Sequence, residues 1–138
     1  MHLAFPPPQH WQDFEELTLQ VVRSVFQDPG SQAHGRSGQA QAGVDVYCRE
    51  RGSDRHVGVQ CKRRGTTDMP SSALTEKEIR GEAEAADKFQ PLLDYFIIAT
   101  TGSRDTKDQY ALRRVQQDRK AAGKFPVSVW YWEDFLGF

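Results

Sequence analysis

Cysteine is scarce in this chain: its 138 residues include only Cys48 and Cys61, too few to staple a small secreted fold. The N-terminus, with Phe5-Pro6-Pro7-Pro8, has no charged lead ahead of an apolar stretch and does not read as a secretory signal. The two thiols therefore imply a reducing, cytoplasmic setting and a role as small buried side chains. No CxxC, HxH or HExxH spacing occurs, which argues against zinc. Long apolar runs are missing too. The longest, Tyr95 to Ala99, falls far short of the roughly 20 residues of a membrane helix. Gly35-Arg36-Ser37-Gly38 lacks the Lys-Ser/Thr of a P-loop, so it is read as loop. An excess of positive charge is also lacking. The formal net charge is −1, which excludes strong unaided binding to nucleic acid, because non-specific affinity rests on Lys and Arg neutralising phosphates.

Charge is nevertheless uneven along the chain. Arg49, Arg51, Arg55, Lys62, Arg63 and Arg64 crowd one stretch, and Arg113, Arg114, Arg119, Lys120 and Lys124 another, while acids gather at 13–16 and 76–87. A local basic surface is the expectation. The length suits one domain with its own core, placed at 11–138 behind an irregular lead-in at 1–10.

Apolar periodicity predicts a first helix from about Trp11–Asp13 to Gln27, halted by Asp28-Pro29-Gly30. Phe14, Leu17, Val21 and Val25 make its apolar face, and Glu16 faces solvent. Glu15 lies on the margin of that face, where it either snorkels outward at the first turn or points into a site. Residues 28–42 read as a loop with a short edge strand near Gln32–Gly35; His34, Arg36 and Gln41 are its polar reach. A helix from about Thr75 to Phe89 follows, with Thr75 and Glu78 as a capping box. Ile79, Ala83 and Ala86 form its apolar stripe, and Glu82 borders it as a surface or supporting residue. Asp94 to Thr101 reads as a strand buried on both faces. Asp105 caps a helix to about Ala122, and Phe125 to Trp132 makes a last strand before a turn or helix at Glu133. Helices flanking a mixed sheet define an α/β/α sandwich.

Residues 43–62 carry the chemistry. Val44, Val46 and Cys48 alternate with Asp45, Tyr47 and Arg49, while Val57, Val59 and Cys61 alternate with Gly58, Gln60 and Lys62. Arg51-Gly52-Ser53-Asp54 between them is turn chemistry, so the pair reads as an antiparallel hairpin. Centred near Asp54, it brings Asp45, Gln60 and Lys62 to one face and sets Cys48 opposite Cys61. Asp45 and the Gln60 carbonyl are hard oxygen ligands suited to Mg²⁺, and Lys62 suits the charge that grows on a phosphate. The competing reading is an ordinary solvated hairpin face with an Asp45–Lys62 ion pair.

The ordered set of Phe14-Glu15-x-Leu17 in a first helix, Gly43-Val44-Asp45-Val46 on a strand and Gln60-x-Lys62 on the next resembles the PD-(D/E)xK nuclease superfamily. In its Gln-x-Lys form it resembles Mrr-like restriction endonucleases. Ile98-Ala99-Thr100-Thr101 and Phe125-Pro126-Val127 with Trp130 and Trp132 extend the likeness, which runs from Trp11 to Phe135. It is similar to the N-terminal effector nuclease domains of bacterial antiphage NTPase proteins. The resemblance implies a restriction-endonuclease-like α/β/α sandwich. It also implies a Mg²⁺-dependent deoxyribonuclease, with Mn²⁺ as a substitute. Asp45 would be the central metal ligand, Gln60 the replacement for a second acid, Glu15 the helix carboxylate and Lys62 the catalytic lysine. Double-stranded DNA is the expected substrate, and a homo-oligomer the expected active form. An NTPase or sensor would lie C-terminal to this sequence or in a partner protein.

Two other classes compete. One is a catalytically inactive nucleic-acid-binding module of the same fold; the presence of both Asp45 and Lys62 counts against it. The other is a protein-docking domain using Trp130, Tyr131 and Trp132, whose alternation fits a covered strand better.

Overall fold

Helix α1 (Trp11–Val25) forms where the apolar spacing places it, and it buries Phe14, Leu19 and Val22 along one stripe. The stripe is rotated from the expected one: Thr18 is also buried, its hydroxyl donating to the Phe14 carbonyl at 2.8 Å, and Val25 is 41% exposed. Glu15 shares the side of Leu19 and Val22, which draws it toward the sheet. The computed structural model describes residues 6–33, 42–64 and 74–138; the loop residues His34, Arg36 and Gln41 lie outside them.

Five strands of the described residues form one mixed sheet in the order β1 (Gln32–Ala33), β2 (Val46–Arg49), β3 (His56–Lys62), β4 (Tyr95–Thr100), β5 (Val127–Trp130). The first three pair antiparallel, and β3, β4 and β5 run parallel. The parallel connections pass through α2 (Glu76–Ala86) and α3 (Thr106–Ala121). Thr75 caps α2 in the expected box, its hydroxyl accepting from the Glu78 amide at 3.1 Å. Asp105 caps α3 by accepting from the Lys107 amide at 2.8 Å.

The sheet separates two cores. On one face Ile79, Ala83, Phe96, Ile98 and Val115 pack beneath α2 and α3. On the other, Phe14, Val22, Val46, Val59 and Ile97 pack beneath α1 and the short α4 (Trp132–Phe135). Fully buried side chains of this size each contribute about 1.5–3 kcal/mol, and β4, covered on both faces, is apolar throughout its middle as expected. Trp130 and Trp132 are partly buried against the α1-side core and Tyr131 is 2% exposed, so the aromatic strand serves packing.

The hairpin turn occupies residues 51–54, closed by the Glu50 amide on the Arg55 carbonyl at 2.9 Å, with Gly52 at φ 93° and Asp54 at φ 63°. Its centre falls before the expected point. Cys48 therefore faces Val57, not Cys61, and both thiols are free. At Gly58 the core under α2 leaves no room for a side chain on β3. A Cβ there would lie 2.6 Å from Leu93 Cδ1 and 3.3 Å from Val44 Cγ1, and Leu93 is locked in the core at 1% exposure. Gly58→Ala is expected to cost about 1–3 kcal/mol by overpacking, read as a lower urea midpoint at unchanged slope.

Candidate active site

Asp45 owes its position to a break in the strand. Val44 belongs to the core under α2, whereas Val46, two residues on, belongs to the core under α1. Simple alternation would have put both on one face. Ala42 (φ 50°) and Gly43 (φ 69°) turn the chain into this bend. The Asp45 amide still donates to the Val59 carbonyl at 2.8 Å. Its own carboxylate then takes over from the backbone: Oδ2 accepts from the Cys61 amide at 2.8 Å. The carboxylate thus occupies the fork where β2 and β3 part, beside the C-terminal end of the parallel strand β3. Open α/β sheets bind ligands beyond the carboxyl ends of such strands.

The register Val46↔Val59 sets Gln60 across from Asp45. With no cation present, the surrounding acceptors assign the Gln60 amide nitrogen to the side facing Asp45 Oδ2 (3.1 Å) and the Gly43 carbonyl, because the opposite orientation would aim its oxygen at two acceptors. Gln60 therefore steadies Asp45 as a donor here, and it would have to turn its amide over to present oxygen to a cation. Lys62, two residues on, reaches the α2 layer. Its Nζ lies 2.7 Å from Glu82 Oε1, with the two side chains 25% and 21% exposed. Of the two roles the sequence leaves open for Glu82, surface or supporting, the ion pair with Lys62 selects the supporting one. Glu15 approaches from α1, on the opposite face of the sheet. Both Glu15 and Glu82 lie near enough to act electrostatically on Asp45.

Three carboxylates facing one ammonium leave the cluster short of positive charge, and proton affinities reflect this. Burial, and then the Asp45 charge, raise Glu15 from its ordinary 4.5 to about 7. Asp45 is also raised, chiefly by burial and further by Glu82, while its bond from the Cys61 amide and the Lys62 charge pull it down. A carboxyl that holds its proton more tightly folded than unfolded gives a stabilisation that is complete below the unfolded value, about 4.5, and is lost as pH rises through about 7. In EDTA the urea midpoint is expected to fall between pH 5 and pH 8. Glu15→Gln should flatten that fall, leaving the part due to Asp45. An unchanged pH slope in the variant would mean that Glu15 titrates as a free surface acid.

The donor set limits which cation it suits. Among the described residues, no three His, Cys, Asp or Glu side chains are grouped so that they could hold a metal ion. Glu82 is engaged by Lys62, which leaves Glu15, Asp45 and the Gln60 amide. Two carboxylates and an amide oxygen fit Mg²⁺, which keeps several waters and takes further oxygens from substrate phosphate. They do not make the closed cage of a structural Ca²⁺ or Zn²⁺ site.

The expected basic surface is largely cancelled by local ion pairs. Arg55 meets Glu50 at 2.8 Å, Arg119 meets Asp87 at 2.6 Å and Arg114 meets Glu76 at 2.5 Å. Arg49 pairs with Asp54 and Arg64 with Glu78. These acids come from turns and helices flanking the basic stretches, so counting basic residues along the sequence overstates the field. Fold and site together define a mixed α/β protein with an acid-rich site at one end of its sheet. No protein-family model matches the chain, and none of the curated proteins searched matches it. No helix among the described residues is long and apolar enough to cross a membrane.

Proposed function

We propose that this chain is a Mg²⁺-dependent nuclease domain of the restriction-endonuclease-like kind, hydrolysing phosphodiester bonds in double-stranded DNA. The observation that carries this reading is the convergence of Asp45, Gln60, Lys62 and Glu15 on one end of the sheet, from sequence positions 47 residues apart at the extremes. That constellation has little structural use. It concentrates partly buried negative charge, which costs stability unless a cation compensates it.

Asp45, with Glu15 and the turned Gln60 amide, would hold the cation. A divalent ion bound there supplies a Lewis acid for the scissile phosphate and lowers the pKa of water. Lys62 is within reach of the same space and donates to the phosphoryl oxygens as negative charge grows on them. Glu82 holds the Lys62 ammonium in place until phosphate competes for it. The Cys61 amide fixes the Asp45 carboxylate in place, while Gln60 exchanges its bond to Asp45 for the cation as its amide turns over.

One such site cuts one strand, so a double-strand break calls for two protomers, and the active form is proposed to be a homo-oligomer. A cytoplasmic antiphage or restriction effector, controlled by an NTPase or sensor in a C-terminal region or a partner, is the biological role that agrees with the sequence resemblance. A non-catalytic nucleic-acid-binding module of the same fold is the second reading. It is favoured by the Gln60 nitrogen, rather than oxygen, facing Asp45. Manganese titration followed by electron paramagnetic resonance separates the two. The nuclease reading expects weak Mn²⁺ binding that tightens at least tenfold when a DNA duplex is added and disappears in Asp45→Asn. Mn²⁺ binding that ignores both the duplex and Asp45 would leave the module.

A further inference from the structure

Arg23 and Arg51, neither of them in an ion pair among the described residues, stand together. Arg23 on α1 and Arg51 in the hairpin turn line an open groove of about 540 Å³ with Gln20, Ser24, Gln27 and Pro29. Among the described residues neither guanidinium makes an ion pair, in contrast to Arg49, Arg55, Arg64, Arg80, Arg114 and Arg119. Arg23 donates from Nη2 to the Ser31 carbonyl at 3.2 Å, while its Nε is buried with no partner. A buried guanidinium N–H without an acceptor is costly, and the group beside it is a second cation.

The nearby acids lie outside the lining and direct their oxygens to other donors. Glu16 accepts from Gln20 at 2.9 Å. Asp28 accepts from the Gly30 amide at 3.0 Å and the Arg49 amide at 2.8 Å. Glu50 takes Ser53 at 2.6 Å and Arg55 at 2.8 Å. The lining itself carries two guanidinium charges and no carboxylate, on a chain whose formal net charge is −1. Guanidinium pairs of this kind suit phosphate, which accepts from their planar forks.

We propose that the Arg23–Arg51 groove binds a backbone phosphate of a nucleic-acid duplex whose scissile bond lies at the Asp45 site. The inference takes up the nuclease reading and adds a second anchoring point to it. Glu15 and Arg23 are eight residues apart on one helix, a rise of about 12 Å. Asp45 and Arg51, six residues apart along an extended strand, span about 20 Å, so at roughly 3.4 Å per nucleotide along a strand the groove lies about four to six steps from the cut. Phosphate contacts of this kind set register and orientation without reading sequence.

The test is the salt dependence of binding to a fluorescein-labelled 20-base-pair duplex in EDTA, which prevents cleavage. Relative to wild type, Arg51→Gln is expected to reduce the slope of log K against log salt by about 0.9, and Arg23→Gln/Arg51→Gln by about 1.8. Arg114→Gln, which removes a paired arginine on α3, should change the slope much less. Arg51 is exposed in the turn, so its single variant keeps the test sound if the double variant folds poorly. A wild-type slope in Arg51→Gln overturns the proposal, as does a wild type that binds no duplex at 50 mM salt. An effect seen with inorganic phosphate but not with the duplex also overturns it. Plasmid cleavage measured in parallel reports on the nuclease reading separately: cleavage that persists while the Arg51 slope is unchanged removes the groove and leaves the active site standing.

Discussion

Asp45→Asn is expected to end DNA cleavage while making the metal-depleted protein more stable. The loss of rate should be on the order of 10³-fold or more, because the proposed central cation ligand and its charge go together. The amide keeps an oxygen where Asp45 Oδ2 accepts from the Cys61 amide at 2.8 Å, so the fork between β2 and β3 stays closed. What disappears is a charge disfavoured by burial and by Glu82. A gain of about 0.5–2 kcal/mol is typical where such strain is relieved. Thermal unfolding in EDTA beside plasmid cleavage in Mg²⁺ reads both effects. A variant that loses stability and activity in step would assign Asp45 a structural role.

Lys62→Gln produces the opposite pattern in stability. Its loss leaves Glu82, 21% exposed, facing Asp45 with no cation between them, and the fold should lose about 1–2 kcal/mol, between the values for exposed and buried pairs. Cleavage should fall by about 10²–10³-fold, the usual cost of removing a donor to developing oxyanion charge. Adding Glu82→Gln to Lys62→Gln should restore most of the stability and none of the activity. Recovery of both would mean that Lys62 serves only to neutralise Glu82.

Much of this arrangement was legible in the sequence because it depends on local chemistry. The Thr75–Glu78 capping box, the Asp105 cap, the turn at 51–54 and the doubly buried strand at 95–100 each follow from a few residues whose side chains decide the backbone. What was not legible depends on contacts between distant segments. Turn chemistry alone centres the hairpin near Asp54 and sets Cys48 opposite Cys61, whereas the strand pairing puts Cys48 opposite Val57. The bend that sends Val44 and Val46 into different cores breaks a period-two pattern that the sequence shows intact. Glu82 sits at a stripe margin by helical spacing alone, and only the packing of α2 against β3 gives it Lys62. The basic clusters look stronger in sequence than in the fold for the same reason, because their counter-ions arrive from turns and other helices.

The central claim is that Asp45 anchors a metal-dependent phosphodiesterase. It is tested most directly by incubating supercoiled plasmid with wild-type and Asp45→Asn protein in Mg²⁺ at low salt over a range of protein concentrations. The account predicts nicked and then linear DNA with wild type, rising more steeply than linearly with concentration as protomers pair, and intact plasmid with the variant. Equal cleavage by the two proteins, or cleavage by wild type that continues in EDTA, would contradict it.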